Sequence, residues 1–211
     1  MRILILEDSI RTLSFSYTLL RSRLFFEIHM VTPLPEAGLS NSLAPGAARN
    51  VHAMVKELTR HMPEPNLDNP FLRNSWIHRA LAIECVAMGL NLHLRSSANE
   101  NMDQTYEFEG TAANVLGTKE RFDSIVLPTD IERGNLWHGF VSVEQIDGGS
   151  IDRGDGTFET WRATPQEKVE VLQEGTWRGQ NPIEAVRIAI EEGVREAVSY
   201  THLTLPTILL V

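Results

Sequence analysis

Hydrophobic positions near the start of the chain change from one period to another. Residues 3–6 are a continuous apolar run, typical of a strand buried on both faces of a parallel sheet. After polar residues 7–9, apolar side chains recur every three or four positions and predict a helix. A second strand is predicted at residues 26–31 and ends at Thr32 and Pro33. Strand, helix and strand in this order predict a βαβ unit with parallel neighbouring strands. The helical positions are Ile10, Leu13, Tyr17, Leu20 and Leu24.

A second helix and strand follow an irregular, proline-rich stretch from residue 33 to 75, in which one helix is predicted near residues 47–60. The helix from Trp76 ends at Gly89, and residues 90–95 alternate as a strand. Its apolar face comprises Ile77, Leu81, Cys85 and Met88.

The next segment predicts shorter strands. Residues 106–109 and 114–116 are candidate antiparallel strands that turn at Gly110 and Gly117, and residues 122–127 form another buried strand. We therefore predict an α/β fold with a parallel sheet and a small antiparallel β segment.

Beyond Asp130 the pattern predicts antiparallel strands at residues 137–145 and 157–161, joined by the glycine-rich loop 147–156. Two helices with capping signals follow, at Thr164 and at Asn181. The acidic residues near the loop do not have the spacing of a calcium-binding loop, and a solvated hairpin turn is predicted. These residues are Asp147, Asp152, Asp155 and Glu159.

Composition limits the partners. The net charge is -9, from 19 Lys and Arg against 28 Asp and Glu, which argues against nucleic acid binding. No apolar run approaches the ~20 residues that span a bilayer. A single cysteine, Cys85, is predicted to be a packed thiol and suggests a reducing, cytoplasmic setting. The scattered histidines show no metal-ligand spacing, so no metal site is predicted.

The order of these elements resembles the front half of FAD-dependent oxidoreductases of the aromatic-hydroxylase and lycopene-cyclase type, over residues 1–130. The resemblance implies a Rossmann-like FAD/NAD(P)-binding fold, FAD as the cofactor, monooxygenase-type chemistry and a small-molecule substrate. The corresponding stretches are RILILEDSIRTLSFSYTLL, FEIHMVT, WIHRALAIECVAMGLNLHLRSS, TYEFEGTAANVLG and RFDSIVLP.

The resemblance also implies the cofactor-binding positions. Glu7, Ser9 and Thr12 match the three glycines of the family's G-x-G-x-x-G motif, which allow backbone to approach a diphosphate. Thr32 matches the acidic residue that binds the ribose, and Asn74 matches a cofactor-contacting arginine. A diphosphate ~4 Å from a carboxylate here would meet roughly 1–4 kcal/mol of repulsion per charge pair. The interpretation is an altered or lost FAD site.

Two alternatives remain open. If the cofactor site is lost, the chain is a non-enzymatic binding or scaffold module, because a fold alone does not define a function. The opening RILILEDS also resembles a receiver domain, in which an acidic pair such as Glu7 and Asp8 binds magnesium beside a phosphorylated aspartate. That alternative requires an aspartate at the end of a third strand. Simple capping of the helix by these two carboxylates is favoured over metal binding.

Domain organisation is predicted as follows. Residues 1–130 form the degenerate dinucleotide-binding domain, and residues 131–197 begin a second, β-containing substrate segment. Residues 198–211 begin VSYTHLTLPT, which resembles the translation of a common transposon-based sequencing-library adapter. We therefore expect a non-native tail and a metagenomic fragment whose natural chain continues past Ala197. The alternative is a genuine C-terminal strand, and the sequence does not predict an oligomeric state.

Overall fold

The computed structural model describes residues 1–22, 24–39, 43–48, 53–62, 71–117, 119–128, 134–146, 149–165 and 170–204. The chain divides into two compact units. Unit 1 comprises Met1–Leu39, Leu81–Thr129 and Ala189–Val211, and unit 2 comprises Ser40–Ala80 and Asp130–Ile188.

The strands in chain order are β1 (Arg2–Ile5), β2 (Glu27–Val31), β3 (Ala47–Ala48), β4 (Phe71–Leu72), β5 (Asn91–His93), β6 (Ser96–Glu100), β7 (Tyr106–Gly110), β8 (Ser124–Val126), β9 (Asn135–Ser142), β10 (Ile151–Asp152), β11 (Phe158–Arg162) and β12 (Gln173–Gly179). The helices are α1 (Ile10–Arg21), α2 (Ala53–Glu57), α3 (Asn74–Ala87), α4 (Thr111–Leu116) and α5 (Ala185–Thr204), with 3₁₀ turns at Leu58–His61 and Pro182–Glu184.

Unit 1 is built on a parallel sheet with the order β5-β2-β1-β8. Ile3 of β1 pairs with Ile28 of β2 on one side and with Ser124 of β8 on the other. Residues 3–5 are fully buried, as expected for a central strand covered on both faces. The predicted βαβ opening and the α/β fold with a parallel sheet are confirmed.

Helix α1 is buried around more of its circumference than the predicted apolar stripe requires. Residues 12–17 are all buried, including four hydroxyl side chains. Ser16 satisfies its hydroxyl by donating to the Thr12 carbonyl at 2.8 Å. On another side the buried thiol of Cys85 donates to the Leu13 carbonyl at 3.4 Å. Burial raises the pKa of the Cys85 thiol, so the predicted packed thiol is confirmed.

A two-stranded antiparallel layer, β6 and β7, lies over one face of the parallel sheet. The prediction of a strand at 114–116 is wrong, because these residues belong to α4. Gly110 adopts a φ of 75°, close against the Arg95 carbonyl, and reverses the chain into the helix. The partner of β7 is β6, which the sequence analysis did not predict. The layer and sheet share a core of Leu4, Val31, Tyr106, Phe108, Ala112 and Leu116.

Unit 2 contains an antiparallel sheet with the order β10-β11-β9-β12. The pairing of β9 with β11 confirms the predicted antiparallel strands. The helix predicted from Thr164 is wrong where the chain is described, because residues 173–179 form β12 against β9. Residues 166–169 lie outside the described residues.

The other predicted helices are recovered to different extents. The helix predicted near 47–60 is described only as α2 and the turn after it, while residues 47–48 form β3. The Asn181 signal is confirmed, since its side chain accepts from the Ile183 amide at 3.0 Å. From there α5 extends to Thr204, so residues 198–204 are helical and the C-terminal strand alternative is wrong for them.

Candidate functional site

The turn between β1 and α1 contains three of the five predicted cofactor positions. Ser9 is the N-cap of α1, and its hydroxyl accepts from the Thr12 amide at 3.3 Å. The Thr12 hydroxyl in return accepts from the Ser9 amide at 3.0 Å. This reciprocal arrangement is a capping box, with threonine in place of the usual Glu or Gln. Two backbone N–H groups at the helix start are therefore bound by side chains of the turn itself.

The carboxylate of Glu7 is paired within the same turn. Its Oε1 accepts from the Ser9 hydroxyl at 3.0 Å and from Arg11 Nη2 at 3.2 Å. Arg11 also contacts Glu196 on α5 through Nη1 at 2.6 Å and donates to the Leu127 carbonyl at 2.8 Å. One positive charge thus faces two carboxylates, so negative charge predominates among these three ionic groups.

Asp8 connects this turn with the end of β2. The buried Thr32 hydroxyl donates to Asp8 Oδ1 at 2.7 Å, and the Gly38 amide donates to Asp8 Oδ2 at 3.3 Å. The backbone of Thr32 is also paired, because its amide donates to His93 and its carbonyl accepts from Ser96. Thr32 therefore fixes neighbouring segments together, and its hydroxyl is already used.

The fifth predicted position, Asn74, belongs to unit 2. It is the first residue of α3, and its side-chain amide donates to the Pro45 carbonyl at 3.0 Å. The structure therefore brings Glu7, Ser9, Thr12 and Thr32 together within unit 1 and places Asn74 in unit 2.

The sequence analysis missed a buried histidine pair on neighbouring strands β2 and β5. His29 Nδ1 lies 3.0 Å from His93 Nε2, and the rings are parallel with centroids 5.4 Å apart. His29 Nε2 lies 2.8 Å from Glu27 Oε1. An ionised carboxylate only accepts, so His29 donates from Nε2 to Glu27. The sequence offered one signal for this pair, because each histidine lies in a predicted strand of the parallel sheet.

The pKa values of Glu27 and His93 are both lowered in the folded chain. The hydrogen bond from His29 lowers the pKa of Glu27 below its ordinary value, with a smaller contribution from Arg2. Burial lowers the pKa of His93, and the neighbouring His29 lowers it further. The lowered pKa of His93 favours its neutral form.

The described part of the chain limits two other kinds of site. No group of three or more His, Cys, Asp or Glu residues is close enough there to hold a metal ion. In the same residues no helix is both long and apolar enough to cross a membrane. Around the hairpin loop, Asp152 accepts from the Gly154 amide at 2.7 Å and Asp155 accepts from the Thr157 amide at 3.1 Å, as in ordinary turns. Glu159 differs from the predicted solvated turn, because it is only 2% exposed.

The sheet order does not match the receiver alternative. A receiver-type sheet places its third strand beside its first, in the order 2-1-3. Here the third parallel strand along the chain, β5, lies beside β2, and it ends at His93. On the side of β1 opposite β2 lies β8, which is followed by Leu127 and Pro128. Neither position supplies the aspartate that a receiver would need.

No family model matches the sequence, and the search of curated proteins gave no match. Solved structures do resemble it. BexE, known from studies of oxidation during BE-7585A biosynthesis, has a TM-score of 0.57 at 9% identity, covering 93% of this chain and 60% of that chain. CabE, an aromatic hydroxylase from angucycline biosynthesis, has a TM-score of 0.54 at 9% identity, with 95% and 62% covered. AlpK has a TM-score of 0.54 at 9% identity, with 94% and 60% covered.

These similarities concern the fold. This chain has a mixed α/β fold similar to that of these structures, with a parallel sheet and additional antiparallel strands. It spans about 60% of the length of the proteins just named. The activity of a whole protein of this type is therefore a matter for proposal.

Proposed function

We propose that this chain is an FAD-dependent oxidoreductase-like protein whose standard diphosphate site is altered or lost. The observation that supports this most strongly is the capping box of Ser9 and Thr12. A diphosphate at a helix start needs free backbone N–H groups and a close approach of the backbone. Here side-chain hydroxyls bind two of those N–H groups at 3.0 and 3.3 Å.

Charge in the turn supports the same proposal. Glu7 and Asp8 lie where the positive end of the helix dipole would otherwise attract an anion. Arg11 offsets part of this charge, but its Nη1 is bound to Glu196. A diphosphate entering the turn would have to displace these contacts and approach two carboxylates. Each such pair at ~4 Å costs roughly 1–4 kcal/mol near a protein surface.

The nature of the chemistry comes only from the structural neighbours. CabE is an aromatic hydroxylase, and the resemblance of this chain to such enzymes suggests oxidation of a small organic molecule. A flavin held in an altered mode would supply the oxidising chemistry. Ser9 and Thr12 would then cap the helix and Glu7 would contribute negative charge. None of these three side chains would contact the reacting atoms.

The second candidate is a non-enzymatic binding module. The ion pair between Arg11 and Glu196 favours this candidate. Through this pair the cation near the start of α1 is bound by a carboxylate of the chain itself and not by a cofactor. In this case the Rossmann-like fold serves as a scaffold and no flavin is bound.

Visible absorbance of the purified full chain separates the two candidates. We expect no stoichiometric flavin absorbance and no saturable binding of added FAD at low micromolar concentration. Weak, saturable binding at higher concentration would indicate an altered site, whereas a folded protein that ignores FAD would indicate the binding module. Stoichiometric flavin in the protein as purified, held against residues 7–12, would overturn the proposal.

A second experiment restores the glycine pattern. The triple variant Glu7→Gly/Ser9→Gly/Thr12→Gly frees both capped N–H groups and removes one carboxylate. If the turn limits cofactor binding, FAD affinity increases relative to the natural sequence. The matched control is Glu7→Ala/Ser9→Ala/Thr12→Ala, which removes the same contacts but keeps a Cβ at each position. Circular dichroism checks that both variants are folded, and equal FAD binding by the two would contradict the role of backbone approach.

A further inference from the structure

Two arginines of unit 2, Arg73 and Arg153, lie close to each other around one buried carboxylate. Arg73 follows β4 and precedes α3, and Arg153 lies in the hairpin between β10 and β11. Their side chains are only 23% and 12% exposed. Partly buried guanidinium groups are expected to have their N–H donors matched by acceptors.

The Nε donor of Arg153 lacks such an acceptor among the described residues. Its nearest carboxylate oxygen, Oε2 of Glu159, is 3.8 Å from Nε, which is too long for a hydrogen bond. Within the described residues, its buried Nε has no hydrogen-bond partner. Arginine carries five N–H donors in a planar fork, and here the described chain leaves the donor at Nε unmatched.

Glu159 is held by other groups. Its Oε1 accepts from the Gly46 amide at 3.1 Å and from Trp161 Nε1 at 2.8 Å. Electrostatics around Arg153 are correspondingly unfavourable. Burial lowers the pKa of Arg153, the positive charge of Arg73 lowers it further, and Glu159 raises it by less. The two arginines are therefore not neutralised by the buried carboxylate alone.

Arg73 is better placed but also incomplete. It forms an ion pair with Asp155, and its guanidinium carbon lies 4.8 Å from the ring centroid of Trp76. Its Nε is buried, and the described part of the chain provides no partner for it. The face of Trp76 gives this group an apolar neighbour on one side.

We propose that Arg153 and Arg73 form a binding site for a small oxyanion, either a carboxylate or a phosphate. Carboxylates and phosphates both offer two oxygens that match the arginine fork and bind it through two parallel hydrogen bonds. Such a ligand would accept from donors that the chain leaves unmatched and would reduce the repulsion between the two guanidinium groups. Trp76 favours a carboxylate attached to an aromatic or aliphatic body. All of the residues of this site lie in unit 2, whereas Glu7, Ser9, Thr12 and Thr32 belong to unit 1.

Tryptophan fluorescence of the full chain tests the site, with sodium benzoate and inorganic phosphate as separate probes at constant ionic strength. We expect a saturable change with at least one probe, and none with sodium chloride. The probe that binds identifies the oxyanion as an organic carboxylate or a phosphate. Absence of a saturable change with both probes overturns the proposal.

Variants distinguish the site from a general effect of charge. Arg153→Met and Arg153→Lys should each weaken binding by roughly 10-fold or more, since they remove the fork and its charge-assisted hydrogen bonds. The lysine variant keeps a positive charge beside Glu159, so it tests the fork even if Arg153→Met does not fold. Arg178→Met is the matched control, because Arg178 is an exposed arginine of the same unit. Equal affinity in the natural chain and Arg153→Lys, or an equal loss in Arg178→Met, would contradict the proposal.

Discussion

At the scale of single residues, Thr12 shows how one hydroxyl determines the start of a helix. Its Oγ1 accepts from the Ser9 amide at 3.0 Å and lies 3.1 Å from the carbonyl oxygens of Glu7 and Ser9. The Thr12 side chain is fully buried, so its hydroxyl has no water as an alternative partner. In a phosphate-binding turn a glycine at this position would leave the same space to the ligand.

Replacing Thr12 by alanine should destabilise the chain by about 1–2 kcal/mol, because the Ser9 amide loses its acceptor in a partly buried position. Urea unfolding followed by circular dichroism measures the free energy of unfolding. Thr12→Ser keeps the hydroxyl and should lose less. Thr18→Ala on the same helix is the control, since that hydroxyl only donates to the Ser14 carbonyl, at 2.8 Å. A loss in Thr12→Ala no larger than in Thr18→Ala would show that the cap contributes little.

The histidine pair makes stability depend on pH. In the folded chain the pKa of His93 lies below its ordinary value of 6.5, through burial and the nearby His29. The unfolded chain therefore takes up this proton first as the pH falls. The contribution of His93 is fully present above pH 6.5 and is lost as the pH falls through the folded-state pKa. Glu27 and Phe122 also contact His29, and Arg2 contacts Glu27.

We expect the free energy of unfolding to fall between pH 7.5 and pH 5.5 more in the natural chain than in His93→Gln. Glutamine keeps an amide donor toward His29 but does not titrate. Urea unfolding at both pH values provides the comparison. His138→Gln, which removes a histidine of unit 2, should leave the pH dependence unchanged. Parallel declines in the natural chain and His93→Gln would exclude His93 as the source.

The sequence predicted individual residues best where a single local rule applies. Cys85 lies on an apolar helical stripe, and it is fully buried. Capping at the start of α1 was also expected, but from the carboxylates of Glu7 and Asp8, whereas Ser9 and Thr12 form the cap. The histidine pair could not be predicted with certainty, because it depends on the register between β2 and β5. Register is a property of long-range pairing that one sequence does not specify.

At the scale of elements, the contact between α1 and α5 depends on one glycine. A Cβ at Gly193 would collide with the Arg11 carbonyl oxygen and would lie 2.9 Å from the Phe15 amide nitrogen. The missing side chain allows the two backbones to approach closely. Because Arg11 is part of this contact and also pairs with Glu7 and Glu196, helix packing and the charge of the candidate site are connected.

Gly193→Ala should destabilise the chain by about 1–3 kcal/mol through overpacking. Helix propensity alone predicts the opposite, since alanine in a helix interior is favoured over glycine by about 1 kcal/mol. Thermal unfolding decides between the two effects. Arg195→Ala, at an exposed position of the same helix, is the control for propensity. A higher melting temperature in Gly193→Ala would mean that the helices separate at little cost.

Elements with a strong period were predicted, and those that depend on tertiary contacts were not. The hydrophobic pattern alone predicts the strands β1, β2 and β8 and the helix α3. By contrast, β6 has the polar sequence Ser96–Glu100 and becomes a strand only by pairing with β7. Likewise β12 contains two glycines, and one of them, Gly175, lies against Leu43. In these cases packing overrides weak local preference.

At the scale of the whole molecule, the order of elements was predictable but the long-range grouping was not. Each compact unit combines separate segments of the chain, which follows from contacts distant in sequence. The division into residues 1–130 and 131–197 stays a prediction, and so does the non-native origin of residues 198–211. Within unit 1 the described part of this tail makes specific contacts. Tyr200 donates to or accepts from the Ser124 hydroxyl at 2.7 Å and packs edge-on against Phe15, with centroids 5.1 Å apart.

Deletion of residues 198–211 tests how much these contacts contribute. An edge-to-face aromatic pair contributes about 0.5–1.5 kcal/mol and a hydrogen bond about 1 kcal/mol, so we expect a loss of roughly 1–3 kcal/mol. Far-ultraviolet circular dichroism should show a folded chain, because β1 keeps its pairing with β2 and β8 in the parallel sheet. Tyr200→Phe in the full chain removes only the hydroxyl and should lose about 1 kcal/mol. If deletion abolishes folding, residues 198–211 are part of the cooperative fold, which would contradict the view of them as an appended tail.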